Sequence, residues 1–393
     1  MISIVIIGAG ECGVRAAFAL RENGFSGSVT VIGDEVEMPY ERPPLSKSKG
    51  QTPKLIRSAQ AFDDVKIMLL RGVTVTTIEP KNRLLHLADG TKMAYDHLLM
   101  ATGSRPRILP AFAGCVTLRT ARDAAQILPT FVPKARVCII GGGFIGLELA
   151  ATAVSAGANV TVIEAAPRTL GRAVPEQIAL RLQARHIQEG VRLLTGVGIT
   201  CATATQVHFE DGTQADFDVV IAGIGAVPNV ERATDAGLAV DNGITVDAHF
   251  RTSDSAIFAA GDCCNATWRG ARIRLESWTA AQDQGAHAAA AMLGATEPYS
   301  KVPWFWSDQY DLTLFAAGIF DFTRQIHTRD TAGAPQIVFQ CDAQGCVCAA
   351  AGLGVGTAAA KDMRIFEKLI ARMKPVDADT LADQSVNLKR LLR

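Results

Sequence analysis

Two glycine clusters carry the chain's most specific chemistry: Gly8, Gly10 and Gly13 in IGAGECG, and Gly141, Gly143 and Gly146 in IGGGFIG. Each follows an apolar run of strand character and opens a stretch of helical period. In G-x-G-x-x-G the first glycine makes a tight turn, the second lets a pyrophosphate approach the backbone, and the third lets helix pack on strand. The helix start then offers unpaired N–H groups and the positive end of its dipole to phosphate. Two copies in this context imply two dinucleotides, and a protein that holds two passes electrons between them. Glu164 ends the strand of the second copy, where a carboxylate accepts both ribose hydroxyls and repels a 2′-phosphate, which favours NADH. Arg168 and Arg172 stand nearby and are the cations an NADPH site would use. In the first copy Asp34 is the candidate ribose acid, with Glu35 its competitor and a solvated strand end the bland reading. Glu148, placed at the start of the second helix, has complementation of the helix dipole as its plain role.

These loops need strands and helices to hold them. After the first come a helical stretch over 12–23, a stop at Gly24 and a strand over 28–32. After the second come a helical stretch over 147–156, a stop at Gly157 and a strand over 159–163. Both read as strand–turn–helix–strand units of a parallel sheet with right-handed crossovers. Residues 97–103 (HLLMATG) and 217–225 (FDVVIAGIG) are matching apolar strands that end in glycine, and 257–262 (IFAAGD) is another short one. Residues 277–293 form an alanine-rich helix with Ser277 as N-cap. From Pro303 the pattern changes to an aromatic cluster, alternating strands at 336–340 and 346–350, and a helix over 363–373. The expected fold is α/β, two Rossmann-like dinucleotide-binding domains followed by a C-terminal α+β domain. The boundaries fall at 1–107 with 229–302, at 108–228, and at 303–393.

Bulk properties remove whole classes of function. At 393 residues with 48% hydrophobic and 20% charged residues, the chain reads as a globular protein of two or three domains. Its formal net charge of zero argues against nucleic acid or an anionic membrane as partner. No apolar run approaches the roughly 20 residues of a membrane span. The first core strand begins at the N-terminus, which leaves no room for a signal peptide, and a cytoplasmic enzyme is expected. Nine scattered cysteines read as free thiols. Cys341, Cys346 and Cys348 lack a fourth ligand and read as packing, and the seven histidines form no ligand pattern, so no metal is expected. The vicinal Cys263–Cys264 pair raises the question of a redox role.

The strings YERPPLSK (40–47), ATG (101–103), LRT (118–120), GIG (223–225), GD (261–262), LESW (275–278) and PWFWSDQ (303–309) occur in this order. With the second glycine loop ending in Glu148, they make the chain similar to the flavoprotein ferredoxin reductases of oxygenase systems. That group includes putidaredoxin reductase and the reductase components of aromatic-ring dioxygenases, and it shares the glutathione-reductase-like arrangement. The resemblance covers essentially the whole chain, with residues 386–391 looking like the family's closing helix. Cys12 within the first loop and Gly352–Leu353–Gly354 depart from the pattern.

The resemblance implies FAD on the first loop and NADH on the second. For FAD it implies contacts from Arg42, Lys47, Ala101, Thr102, Gly103, Arg119, Asp262, Trp278 and Trp306. For the nicotinamide side it implies Ile145, Glu148, Ile224 and Gly225, with Lys47 and Glu148 paired close to the reacting centre. Disulfide reductases of this architecture carry a C-x4-C pair after the first fingerprint, and here no cysteine lies between Cys12 and Cys115. Electrons are therefore expected to leave the flavin directly and singly, to a [2Fe–2S] ferredoxin of Rieske or plant type that feeds a terminal oxygenase. Reduction of a small quinone or radical acceptor, and redox sensing, are the alternatives.

Overall fold

A computed structural model describes residues 2–47, 52–329 and 336–392. Met1 and Arg393, with which the expected first and last domains begin and end, lie outside the described residues. The chain divides into two compact units: Met1–Arg42, Pro53–Arg105 and Ala226–Lys301 form the first, and Pro43–Thr52, Pro106–Gly225 and Val302–Arg393 the second.

The first unit is built on a five-stranded parallel sheet in the order Ile257–Ala259, His97–Met100, Ser3–Ile7, Ser28–Gly33, Ile67–Arg71. Its central strands are apolar at nearly every position because both faces are covered. The edge strand Ile257–Ala259 returns late in the sequence, as the short apolar run at 257–262 suggests. Helix Glu11–Glu22 starts directly after the glycine loop and packs on helix Trp278–Met292. The small residues on these helices are there for close approach: a Cβ on Gly285 would stand 2.4 Å from the Cys12 carbonyl oxygen. Ser277 caps the second helix by accepting the Ala280 N–H, as its sequence position indicates.

The second unit repeats the parallel plan in the order Arg192–Thr195, Asn159–Glu164, Arg136–Ile140, Val219–Ala222. It also contains an antiparallel sheet in the order Trp304–Gln309, Leu312–Gly318, Val347–Val355, Gln336–Cys341, His327–Arg329, packed by helix Ala360–Arg372. The departure at Gly352 has a packing cause. A Cβ there would come within 2.8 Å of Met363 Cγ and 3.2 Å of Ala359 Cβ, so glycine lets helix and sheet close. Arg329, buried on the edge strand, donates to the carbonyls of Leu381, Asp383, Gln384 and Val386 and so ties the final segment to the sheet. The closing helix expected at 386–391 is only a short 3-10 turn, Leu388–Leu392. That turn packs Leu388, Leu391 and Leu392 on the core, and Arg372 donates to the Leu392 carbonyl.

Each unit also contains a three-stranded antiparallel meander that the sequence reading passed over: Val75–Glu79, Leu84–Leu87, Lys92–Ala94, and Ile199–Ala202, Gln206–Phe209, Gln214–Asp216. Both turn through Asp-Gly-Thr, with the aspartate accepting the threonine N–H at 2.8 Å (Asp89, Thr91) and 2.9 Å (Asp211, Thr213). Both are followed by an aspartate that accepts a backbone N–H at the start of the unit's first strand, Asp96 from Ser3 and Asp218 from Arg136.

Candidate dinucleotide and nicotinamide sites

In each unit the three loop glycines have separate reasons. A Cβ on Gly8 would stand 2.1 Å from the Ala101 carbonyl oxygen, and one on Gly141 2.3 Å from that of Gly223. Gly13 and Gly146 are equally tight, at 1.9 and 2.2 Å from the carbonyl oxygens of Gly8 and Gly141. Among the described residues nothing lies within 4 Å of a Cβ on Gly10 or Gly143. Each of these two is the N-cap of its helix and makes no side-chain cap bond, so free N–H groups front open space. The first and third glycines are therefore demanded by the fold, whereas the second is demanded by something that comes from outside. A dinucleotide pyrophosphate fits both cradles.

The two copies differ where strand meets loop. Gly8 N–H donates to Ile32 C=O and Gly141 N–H to Ile163 C=O, which makes Gly33 the counterpart of Glu164. In the first unit Ala9 fills this point, its methyl only 2.6 Å from where a Gly33 Cβ would be. In the second the small residue is Gly142 and the strand end carries the acid. Glu164 accepts N–H bonds from Gly142 and Ala166, each at 2.8 Å, so its carboxylate is fixed beside the loop. Arg168 turns away from that acid and donates to the carbonyls of Gly171, Val174 and Leu170. Arg172 is exposed.

Elsewhere in the first unit Asp34 is exposed, while Glu35 is held by Arg42 at 2.6 Å and by the Tyr40 hydroxyl. Arg42 also lies over the Tyr40 ring. Asp262 accepts from Ser104 Oγ at 2.9 Å, and Thr102 and Asn229 exchange bonds that fix the turn containing Ala101, Thr102 and Gly103. Trp278 is half-buried at the first residue of its helix. Cys12, Cys263 and Cys264 are all buried, and burial pushes each thiol up, those of Cys12 and Cys264 well above the usual range. Their thiolates are scarce, and Cys263 and Cys264 donate to oxygen acceptors of the fold, which argues for packing over redox chemistry.

In the second unit Lys47 Nζ lies 3.6 Å from Glu148 Oε1 and 3.0 Å from Asp308 Oδ2. Glu148 is the fifth residue of helix Phe144–Ser155 and only 8% exposed. It sits beyond the unpaired N–H groups of the first turn, so dipole complementation does not account for it. Its oxygens accept from Ser46 Oγ at 2.5 Å and Ser307 Oγ at 2.6 Å. Burial pushes the carboxyl up, with Lys47 and the two serines opposing. One turn further, Thr152 Oγ1 donates to the Ser46 carbonyl at 2.7 Å, so the RPPLSK turn is pinned to this helix at two points. Ile145 in the first turn is 47% exposed, beside the open loop. Arg119, Trp306 and Ile224 are half-buried and Gly225 is exposed. Ser46, Ser307 and Asp308 were not singled out from sequence, although the alternation of strand Trp304–Gln309 puts Ser307 and Gln309 on one face.

Residues 2–285 match the family model for pyridine nucleotide-disulphide oxidoreductase, and residues 304–392 that for reductase C-terminal. The chain belongs to the pyridine nucleotide-disulphide oxidoreductase family. Within this family it is 41% identical to the ferredoxin–NAD(+) reductase component of the anthranilate 1,2-dioxygenase system of Burkholderia cepacia, over 99% of this chain and 98% of that one. It is 36% identical to putidaredoxin reductase of Pseudomonas putida, over 99% and 96% of the two chains. Putidaredoxin reductase in its covalent complex with putidaredoxin superimposes with a TM-score of 0.94 at 35% identity, covering 100% of this chain and 98% of that one. Among the described residues no helix is long and apolar enough to cross a membrane.

Proposed function

We propose that this family member is an FAD-dependent NADH:ferredoxin oxidoreductase of the cytoplasm that supplies a [2Fe–2S] ferredoxin, and through it a ring-hydroxylating dioxygenase or a cytochrome P450. The full-length likeness to ferredoxin reductase components supports this reading. The observation that carries it is the state of the thiols in the first unit. Cys12, Cys263 and Cys264 are sealed and held protonated, so no disulfide relay stands between the flavin and its acceptor. Bound FAD supplies the conversion of a hydride pair into single electrons.

The protein's own groups prepare that exchange. The first loop, with Asp34 or Glu35 just past the strand end at Gly33 and Asp262 after a later strand, holds FAD. The second loop would hold NADH, with Glu164 for the ribose hydroxyls and the exposed Ile145 offering it an apolar contact. Lys47 and Glu148 orient the nicotinamide and set the charge about it, and neither needs to move a proton to substrate. The three-domain division, 1–107 with 229–302 for FAD, 108–228 for NADH and 303–393 for the partner face, belongs to the same proposal.

Anaerobic stopped-flow mixing tests the reading. NADH is expected to bleach the flavin, and an oxidised [2Fe–2S] ferredoxin of an oxygenase system to restore its colour in two one-electron phases. Bleaching that a quinone reverses and no such ferredoxin does would move the protein to the small-molecule reductases.

A further inference from the structure

We propose that His186 and Gln309 are positioning residues for Glu148: with Tyr310 and Ser307 they form a chain of hydrogen bonds whose every donor points toward that carboxylate. The inference rests on the reading of Glu148 as the carboxylate that orients nicotinamide.

The chain is read outward from Glu148. Ser307 Oγ gives its only hydrogen to Glu148 Oε1 at 2.6 Å, so it must accept from its other neighbour, Gln309 Nε2, at 3.2 Å. This orients the amide, whose oxygen then faces His186 Nε2 at 2.8 Å and requires a hydrogen on that nitrogen. Burial lowers the affinity of the imidazole for a second proton, so Nδ1 is an acceptor and takes the Tyr310 hydroxyl hydrogen at 2.9 Å. The groups between the ends are almost wholly enclosed: His186 is 0%, Gln309 1% and Ser307 2% exposed. Only Tyr310 reaches the surface, where its ring lies under Arg185, itself paired with Glu189 and Asp311.

A buried run of this kind is not needed to fill space, since apolar side chains would pack there without the cost of desolvating four polar groups. What it fixes is direction. With the amide nitrogen toward Ser307, the serine hydrogen has no acceptor to choose but Glu148. With the amide reversed, Ser307 would donate to Gln309 and Glu148 would lose one of its two hydroxyl donors. His186 with hydrogen on Nε2 rewards the first of these states and not the second. A chain that includes a carboxamide passes no proton from end to end, so its effect is orientation and not conduction. The charged groups around Glu148 are Lys47 and Asp308, and those around His186 are Arg185 and Glu189.

Two substitutions separate the halves of the imidazole. In His186→Asn the side-chain oxygen takes the place of Nδ1 and keeps the Tyr310 bond, but no donor reaches Gln309. In His186→Gln the amide nitrogen takes the place of Nε2 and keeps the donor to Gln309. Each loses one bond, so simple destabilisation should affect them alike. The readout is the titration of the Glu148 carboxyl by 13C NMR in the FAD-bound protein, assigned by its disappearance in Glu148→Gln. His186→Asn is expected to raise the midpoint by roughly half to one pH unit, the worth of one hydrogen bond. It should also raise KM for NADH roughly two- to fivefold with a smaller change in kcat. His186→Gln should leave the midpoint where it was. An unmoved midpoint in His186→Asn, or equal displacement in both variants, overturns the proposal. A midpoint displaced only in His186→Asn, with nicotinamide affinity unchanged, upholds the chain and withdraws the nicotinamide role of Glu148, so the two failures are distinct.

Discussion

Glu148 is held where an ionised carboxylate is costly, and that has a sign that can be measured. Its carboxyl is raised above the ordinary value by burial, so between the unfolded and folded values the folded protein binds more protons. Stability from this group therefore falls as pH rises through that window, and above it the ionised Glu148 is a burden on the fold. Glu148→Gln is expected to raise Tm at pH values above that window and to lose the advantage as pH falls through it. Scanning calorimetry across the acid range checks it, and an advantage that grows on acidification would refute the sign. Glu164 gives a second prediction at this scale. Glu164→Gln should lower the NADH-over-NADPH ratio of kcat/KM by roughly tenfold without inverting it, because Arg168 remains bound to carbonyls of its own loop. Steady-state kinetics with both nucleotides reads the ratio. The acid at the strand end was legible because the fold defines that position in sequence. The occupation of Arg168 was not, because a guanidinium that binds backbone leaves no pattern in residue types. His186 was illegible for the same reason: its partners lie 123 and 124 positions away.

At the scale of elements, the glycine loops separate what folding needs from what binding needs. Gly143→Ala places a methyl in open space at an ordinary φ of −81°, so Tm should hold while NADH affinity drops at least about tenfold. Gly141→Ala meets the Gly223 carbonyl at 2.3 Å and starts from φ +106°, so it should cost about 3 kcal/mol or more. Denaturant melts and nucleotide titrations on the pair check both, and a large loss of stability in Gly143→Ala would contradict the division. The strand–turn–helix–strand units were readable because buried parallel strands are almost wholly apolar and each helix stops at a glycine. The meanders were missed although they carry a readable Asp-Gly-Thr turn, because their strands are short and only half covered. Where a closing helix was expected, the chain packs Leu388, Leu391 and Leu392 on the core from one short 3-10 turn, which has the same apolar spacing as a helix turn.

Across the whole molecule, the stretch from Leu381 to Val386 is tied to the edge strand by one buried cation. Arg329→Met would leave the carbonyls of Leu381, Asp383, Gln384 and Val386 without their donor. A loss of about 2–4 kcal/mol is expected, with early proteolytic cleavage between the edge strand and the C-terminus. Cleavage no faster than in the parent protein would contradict it. The repeated loops, meanders and aspartate ties give the parallel-sheet parts of the two units a common plan, and at the glycine loop the place where they part is small. At the junction of strand end and loop, one copy puts its methyl on the loop and nothing on the strand, and the other puts nothing on the loop and a glutamate on the strand. The two fillings are alternative inserts in one mould. Which nucleotide a copy accepts can then drift by trading bulk across a single contact, leaving sheet, helix and turn untouched.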